Sequence, residues 1–254
     1  MHRKILLSLV VVTALAAVHA SAQTADEIIQ QNLEAKGGEE AWLAVKSAKI
    51  TGTMRMGGGA AGAVEAPVVL EFKRPEKVRL EFTMQGMTAI QAYDGEVGWS
   101  VMPFMGKTEP EEMAEDQLKD IKQMAELEGP LVDYKEKGHT VEYLGIEEVD
   151  GTPAYKLRVN QANGDVVDIF IDEEYFIEFK QEATREVQGN EVKISTVYGD
   201  YKEVGGLLFA HSMEMSFGGG PAQQVITLET IELDIDIADE RFSMPEAAKA
   251  PAAE

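Results

Sequence analysis

Residues 68–104 read VVLEFKRPEKVRLEFTMQGMTAIQAYDGEVGWSVMPF, and strands follow one another there with almost no connecting sequence. Val78, Leu80, Phe82 and Met84 alternate with Lys77, Arg79, Glu81, Thr83 and Gln85, so one face of that strand is dry and the other wet. The strand before it puts Val68, Leu70, Phe72 and Arg74 on a single face. By parity Arg74 lies on an apolar face, where an unpaired guanidinium is costly, so it is expected to have hydrogen-bond partners. Pro75 and the Asp94-Gly95 pair mark turns between antiparallel strands.

The alternation extends outward from this stretch. Before it, Thr24-Ala25-Asp26-Glu27 forms a capping box for a short helix with Ile28, Ile29 and Leu33 on one side, stopped by Gly37-Gly38. A second helical piece carries Trp42, and a first strand over 48–56 sets Met54 and Met56 on one face. After it, Thr108-Glu109-Pro110-Glu111 reads as another capping box and predicts a helix over 109–128, with Leu118, Ile121 and Ala125 as its apolar stripe. Such a helix packs on the sheet either as plain core or as a lid over a ligand. From Thr140 onward the chain is strand after strand, turned at Asp150-Gly151 and Asn163-Gly164. The most one-sided strand, 207–217, groups Leu207, Phe209, His211, Met213, Met215 and Phe217. Asp234, Asp236 and Asp239 read as a solvated sheet edge. The sum is a mainly β (α+β) chain: about 11 strands in one large, strongly curved antiparallel sheet, with helices over its concave face.

Composition narrows the function. Arg3 and Lys4, an apolar run over 5–17 and the Ala20/Ala22 pair make residues 1–22 a secretory signal, leaving a single domain over 23–245 and a disordered tail over 246–254. Losing Arg3 and Lys4 takes the formal charge two units below −22. That acidity argues against nucleic acid and against anionic lipid surfaces. With no cysteine there are no disulfides, no thiol chemistry and no lipidated N-terminal cysteine, so the reading is a soluble periplasmic protein, monomeric and without stable membrane anchoring. The GGGAAG run of residues 57–62 satisfies a dinucleotide fingerprint in letters only, because a proline and a strand follow where a helix must receive the pyrophosphate. His139 adjoins a turn, and His211 stands alone on an apolar strand face. No metal site, cofactor or catalytic constellation is expected, and the chain reads as a non-enzyme.

The order Lys73-Arg74-Pro75, Asp94-Gly95, Trp99, Pro103-Phe104 resembles the periplasmic outer-membrane lipoprotein carrier family of LolA type, with Phe242-Ser243-Met244-Pro245 echoing that family's ending. The resemblance implies an unclosed half-barrel whose helices cover an apolar cavity for acyl chains, with Arg74 as the arginine that bonds to the helical lid. The expected cavity lining is Phe72, Leu80, Phe82, Trp99, Met213 and Met215, and the expected lid contacts are Arg74, Leu118 and Ile121. Methionines suit a site for chains of varied shape, but they also fill gaps in ordinary cores, and both readings stand. The function expected is a carrier or chaperone for the acyl chains of lipoproteins or lipids, served by envelope export components. The alternative is a ligand-sensing or protein-interaction domain on the same half-barrel.

Overall fold

The computed structural model describes residues 23–57, 62–187 and 190–246. The expected signal segment, the tail beyond Glu246 and most of the GGGAAG run lie outside the described residues. The chain opens with α1 (Ala25–Ala35), where Thr24 Oγ1 accepts from the Glu27 N–H at 3.2 Å and Glu27 Oε2 accepts from the Thr24 N–H at 2.8 Å. After α2 (Glu39–Ala44) come β1 (Ser47–Gly57), β2 (Ala63–Lys73), β3 (Lys77–Met84), β4 (Met87–Tyr93), β5 (Gly98–Met102) and β6 (Lys107–Glu112). Helix α3 (Glu115–Met124) interrupts the strands. The rest is β7 (Thr140–Val149), β8 (Thr152–Asn160), β9 (Val166–Asp172), β10 (Glu178–Val187), β11 (Asn190–Val204), β12 (Leu207–Phe217) and β13 (Gln224–Leu233).

All thirteen strands form one antiparallel sheet, in the order β6-β5-β4-β3-β2-β1-β13-β12-β11-β10-β9-β8-β7. The last strand pairs with the first, so the two ends of the domain meet at the middle of the sheet, and both sheet edges come from mid-chain. The sheet curves but does not close into a barrel.

Two expectations are corrected here. Thr108-Glu109-Pro110-Glu111 does not start a helix: it lies in β6, and α3 begins at Glu115. The backbone of Trp99 and Ser100 takes Glu112 and Glu111 as partners, and a proline and exposed glutamates are tolerated there because β6 is an edge. Helix α3 is capped instead by Gln117, whose Oε1 accepts from the Ala114 N–H at 3.4 Å. Nor do Asp234, Asp236 and Asp239 mark an edge, since β13 is central. Asp234 Oδ1 accepts from the Lys46 N–H at 2.7 Å, and Asp239 pairs with Lys73 at 2.7 Å and Lys77 at 3.2 Å.

Directly opposed residues of an antiparallel pair share a face, so the register sorts every side chain. The concave face carries Phe72, Val78 and Tyr93 in one row across β2, β3 and β4. Its helix-covered part has two cores. Under α1 and α2, Ile28, Ile29, Leu33 and Trp42 meet Leu157, Val159, Ile169, Ile171 and Leu207, and Trp42 packs against Phe209 with ring centres 4.8 Å apart and tilted planes. Under α3, Ile121 meets Ala48, Ile50, Phe72, Val78 and Tyr93. Gly98 admits α3: a Cβ there would fall 2.7 Å from Leu118 Cδ1.

The outer face is polar except where the chain after β13 straps it and at a small cluster of Val149, Ala154 and Phe170 on β7–β9. Ile237 and Phe242 are buried against it. Arg241 reaches Glu71 at 2.8 Å and Glu81 at 2.9 Å, and Lys73 Nζ donates to the Ile237 carbonyl at 2.7 Å.

Candidate functional site

Beyond the helices, toward the Gly57 end of β1, the concave face continues as a trough built from strands alone. Met54, Ala66 and Val68 form its floor, with Met56, Phe82, Met84 and Ile226 packed against them, and no helical residue joins this cluster among the described residues. The register lays the trough out row by row. Ala66, Met54, Ile226, Met213 and Tyr198 stand opposite one another across β2, β1, β13, β12 and β11. The next row is Val64, Met56, Gln224, Met215 and Thr196. Phe82, Val68, Gly52 and Leu228 form the row on the other side. A bulge at Thr51/Gly52 brings Gly52 so near Thr227 that a Cβ would meet its carbonyl at 2.2 Å, which only glycine avoids.

Polar groups are few and already engaged. Gln224 Nε2 donates to Met54 Sδ at 3.0 Å, and Tyr198 Oη donates to Gln181 Oε1 at 3.1 Å. Burial pushes the Tyr198 phenol well above its ordinary pKa, with the Glu178 charge adding to the effect, so the ring presents a neutral surface. Phe104 meets Phe82 with ring centres 5.6 Å apart and the rings tilted by 47°.

Of the expected lining residues, Phe82, Met213 and Met215 lie on the face of the trough, Phe82 on β3 beside Val68 and the two methionines on β12 beyond β2, β1 and β13. Leu80 is half-buried on the same face, between Leu70 and Gln91. Phe72 is buried under α3 against Ile121 rather than open to the trough. Trp99 does not join them. It pairs with Ala92, which pairs with Arg79, and that row lies on the outer face. There its Nε1 donates to the Phe242 carbonyl at 2.7 Å beneath the C-terminal strap, and the Arg79 guanidinium sits 5.5 Å from its ring centre. Met54, Met56, Met84, Ile226 and Tyr198 complete the trough. The Met54/Met56 pair on one strand face and Met84 on the dry face of β3 were its sequence signals; Ile226 and Tyr198 needed the pairing of β13 with β1 and of β11 with β12.

The helix contacts are mechanical ties. Arg74 Nε donates to the Val45 carbonyl at 2.8 Å, and one terminal nitrogen donates to the Trp42 carbonyl at 3.1 Å and to Glu128 at 3.0 Å. The guanidinium thus joins the end of α2 to the chain that follows α3, not to α3 itself. Burial pushes the Glu128 carboxyl up, but Lys137 at 3.0 Å and Arg74 outweigh it and hold the group below the ordinary glutamate range. Leu118 and Ile121 anchor α3 over β3–β5, while its polar side reaches the opposite wing. Lys119 pairs with Asp165 at 2.6 Å, Gln123 bonds to Gln161 at 3.0 Å, and Arg185 joins Asp165 at 2.7 Å as well as Gln123. A hollow of about 10 Å³ beside Phe72, Arg74 and Glu128 is too small for an acyl chain. A groove of about 790 Å³ runs between α1, α2 and Asp133–Lys135, away from the trough and rimmed by Asp26, Glu34, Glu39 and Glu40. The two histidines among the described residues bond to backbone: His139 Nδ1 accepts from the Ala162 N–H at 3.2 Å, with its Nε2 buried and without a partner, and buried His211 contacts the Phe209 carbonyl at 3.1 Å.

No family model matches the chain, and neither does any curated protein. Solved structures do. A LolA superfamily protein from Nitrosomonas europaea superposes with TM-score 0.61 at 16% identity, over 87% of this chain and 98% of that one. A DUF1329 family protein from Desulfovibrio piger gives 0.60 at 10% identity, over 87% and 98%. A protein described as an outer membrane lipoprotein-sorting domain, from Vibrio parahaemolyticus, gives 0.57 at 12% identity, over 85% and 94%. Identities this low speak to architecture alone: the chain has a LolA-like fold.

Proposed function

We propose that the protein is a non-enzymatic carrier that holds the acyl chains of lipoproteins or lipids in the methionine-lined trough, working in the periplasm after residues 1–22 direct export. The observation that carries this reading is the unbroken apolar row from Ala66 through Met54, Ile226 and Met213 to Tyr198, left without a helix on it. Ala66 and Met54 in that row are buried beneath their neighbours, and Ile226, Met213 and Tyr198 are partly exposed; a partly exposed apolar stretch is a place for an occupant, and burying an acyl chain contributes about 0.8 kcal/mol per methylene. Thioether side chains adapt to chains of differing shape. Among the described residues no helix is long and apolar enough to cross a membrane. Arg74 and the α3 clasp hold the helix-covered half shut, and the trough takes cargo beside it.

The test is titration with a fluorescent fatty acid whose own emission is followed, because Trp42 and Trp99 are buried away from the trough and report poorly. Saturable binding is expected, displaced by unlabelled lipid and weakened about tenfold by Met213→Glu, a charge set among apolar chains. Absence of saturation, or equal binding by Met213→Glu, would end the proposal.

A further inference from the structure

The connection from α3 to β7 and the turn between β8 and β9 meet at one side chain. Within the connection, residues 125–139, Lys137 Nζ bonds to Glu126 at 2.9 Å, to Glu128 at 3.0 Å and to the Gly129 carbonyl at 3.0 Å. At its end the His139 N–H donates to the Tyr134 carbonyl at 2.8 Å, and the His139 ring reaches across to the β8–β9 turn, where Nδ1 accepts from the Ala162 N–H. The same turn grips α3. It is closed by the Gln161 N–H on the Asp165 carbonyl at 2.8 Å, and the side chains at its two ends hold the helix, Gln161 through Gln123 and Asp165 through Lys119 and, with β10, Arg185. Ala162 stands between them.

This bonding fixes the tautomer of His139. Because Nδ1 accepts, the proton of the neutral ring is on Nε2, which is buried with no acceptor among the described residues. A second proton has only Nδ1 to go to. There it sets a donor against the Ala162 N–H, breaks the one bond the ring makes to the turn, and leaves a charge on a residue that is only 9% exposed. Burial, with Lys137 adding to it, holds the ring below its ordinary pKa of 6.5 against the opposing pull of Glu126. The other charges nearby are already engaged: Asp165 on the turn by Lys119 and Arg185, and Glu142 on β7 by Asn160 at 3.4 Å.

We propose that His139 is a proton-operated catch, and that taking up a proton there loosens the β8–β9 turn and with it the grip on α3, so that mild acid opens the helix-covered part of the concave face. The proposal goes beyond the acyl-chain reading and does not need it. Freed of α3, the face would add the Phe72–Val78–Tyr93 row to the apolar surface, one row beyond Leu70 and Leu80 from the trough. Above its ordinary 6.5 the ring is neutral whether α3 is held or free, and the grip is complete. As pH falls through that value the freed state takes up the proton first, so the balance moves toward it until the held state titrates as well. Ordinary carboxylates stay charged down to about pH 5.5, which leaves this window to the histidines.

Amide hydrogen exchange of the full mature chain at pH 7.5 and pH 5.5 tests it, with the chemical exchange rate at each pH divided out. A freed helix of ten residues does not hold its own hydrogen bonds, so the protection of the amides over 118–125 reports how often α3 lets go. In the parent that protection is expected to fall by up to about tenfold between the two pH values, while the amides of Leu157 and Ile169 on β8 and β9 keep theirs. His139→Asn puts an acceptor oxygen close to the position of Nδ1 and cannot take the proton, and its α3 protection is expected to be the same at both pH values. In the parent, the Ala162 amide resonance is expected to titrate with the same midpoint as the loss of α3 protection, a readout that does not depend on the variant. Equal α3 protection in the parent at the two pH values overturns the proposal. So does an equal fall in His139→Asn, or an Ala162 resonance that stays in place while α3 loosens.

Discussion

Two stretches of the same concave face have been finished differently. Under α1 and α2 the sheet offers Leu157, Val159, Ile169 and Ile171, β-branched residues and a leucine, all buried without residual exposure. Past the helices it offers Met54, Met56, Met84, Met213 and Met215, several of them half-exposed, with only strands around them. Stiff side chains fix one packing, and flexible thioethers accept many. The contrast shows a molecule that concentrates its folding energy at the helix-covered end and leaves the other end adaptable.

Cavity-making substitutions break the comparison most forcefully. Leu157→Ala removes a side chain that is 0% exposed, and a loss of about 2–5 kcal/mol is expected from urea unfolding. Met213→Ala, on a half-exposed site, is expected to cost about 1 kcal/mol or less while weakening acyl-chain binding. If the two cost the same, the trough is part of the core and the division of labour is wrong.

Arg74 ties down the helix-covered end alone, past Phe72 on the side away from the trough, and its effect is smaller. Arg74→Leu leaves the carbonyls of Trp42 and Val45 and one side of Glu128 without their donor. A loss of about 1–3 kcal/mol is expected at pH 7, discounted because the Arg74 side chain is itself 34% exposed. The pH dependence carries its own sign. Glu128 has a folded-state pKa below its ordinary 4.5, so its contribution is complete above that value and is lost as pH falls through the folded-state value. Thermal melts of the parent between pH 7 and pH 3 therefore contain a Glu128 component. Glu128→Gln is expected to lose stability at neutral pH and to show a flatter acid limb, while Arg74→Leu keeps the part held by Lys137. An unchanged acid limb in Glu128→Gln would move that component to other carboxylates.

Much of this architecture is legible in local sequence, because alternation with tight turns specifies hairpins one pair at a time. The Thr24 cap, the β2–β3–β4 meander and the one-sided face of β12 are all of that kind. What is not legible is long-range pairing. Trp99 has the right composition for a cavity wall, yet the register through Ala92 and Arg79 turns it outward onto Phe242, 143 residues away. The trough likewise depends on β13 returning to β1, which no local pattern encodes. β6 was hidden for a different reason. Thr-Glu-Pro-Glu satisfies helix-capping chemistry and an edge strand's tolerance of proline and charge equally well, and the unpaired backbone of β5 decides between them.

The finest test of the contrast keeps volume and removes only flexibility. Met213→Leu and Met215→Leu are near-isosteric, so the change in unfolding free energy is expected to stay below about 1.5 kcal/mol for the pair. A branched side chain with fewer rotors leaves the trough apolar but narrows the shapes it can adopt. Saturated straight-chain probes are expected to bind the double variant within about threefold of the parent. Probes with a cis double bond or a methyl branch are expected to lose more, so the ratio of the two affinities is the readout. The same exchange at Leu157, to methionine under α1, has no ligand to report on and should register only as a small shift in the urea midpoint. Should the trough variant bind bent and straight chains in the parent's proportions, thioether flexibility contributes nothing to recognition, and the methionines fill space there as they would in any core.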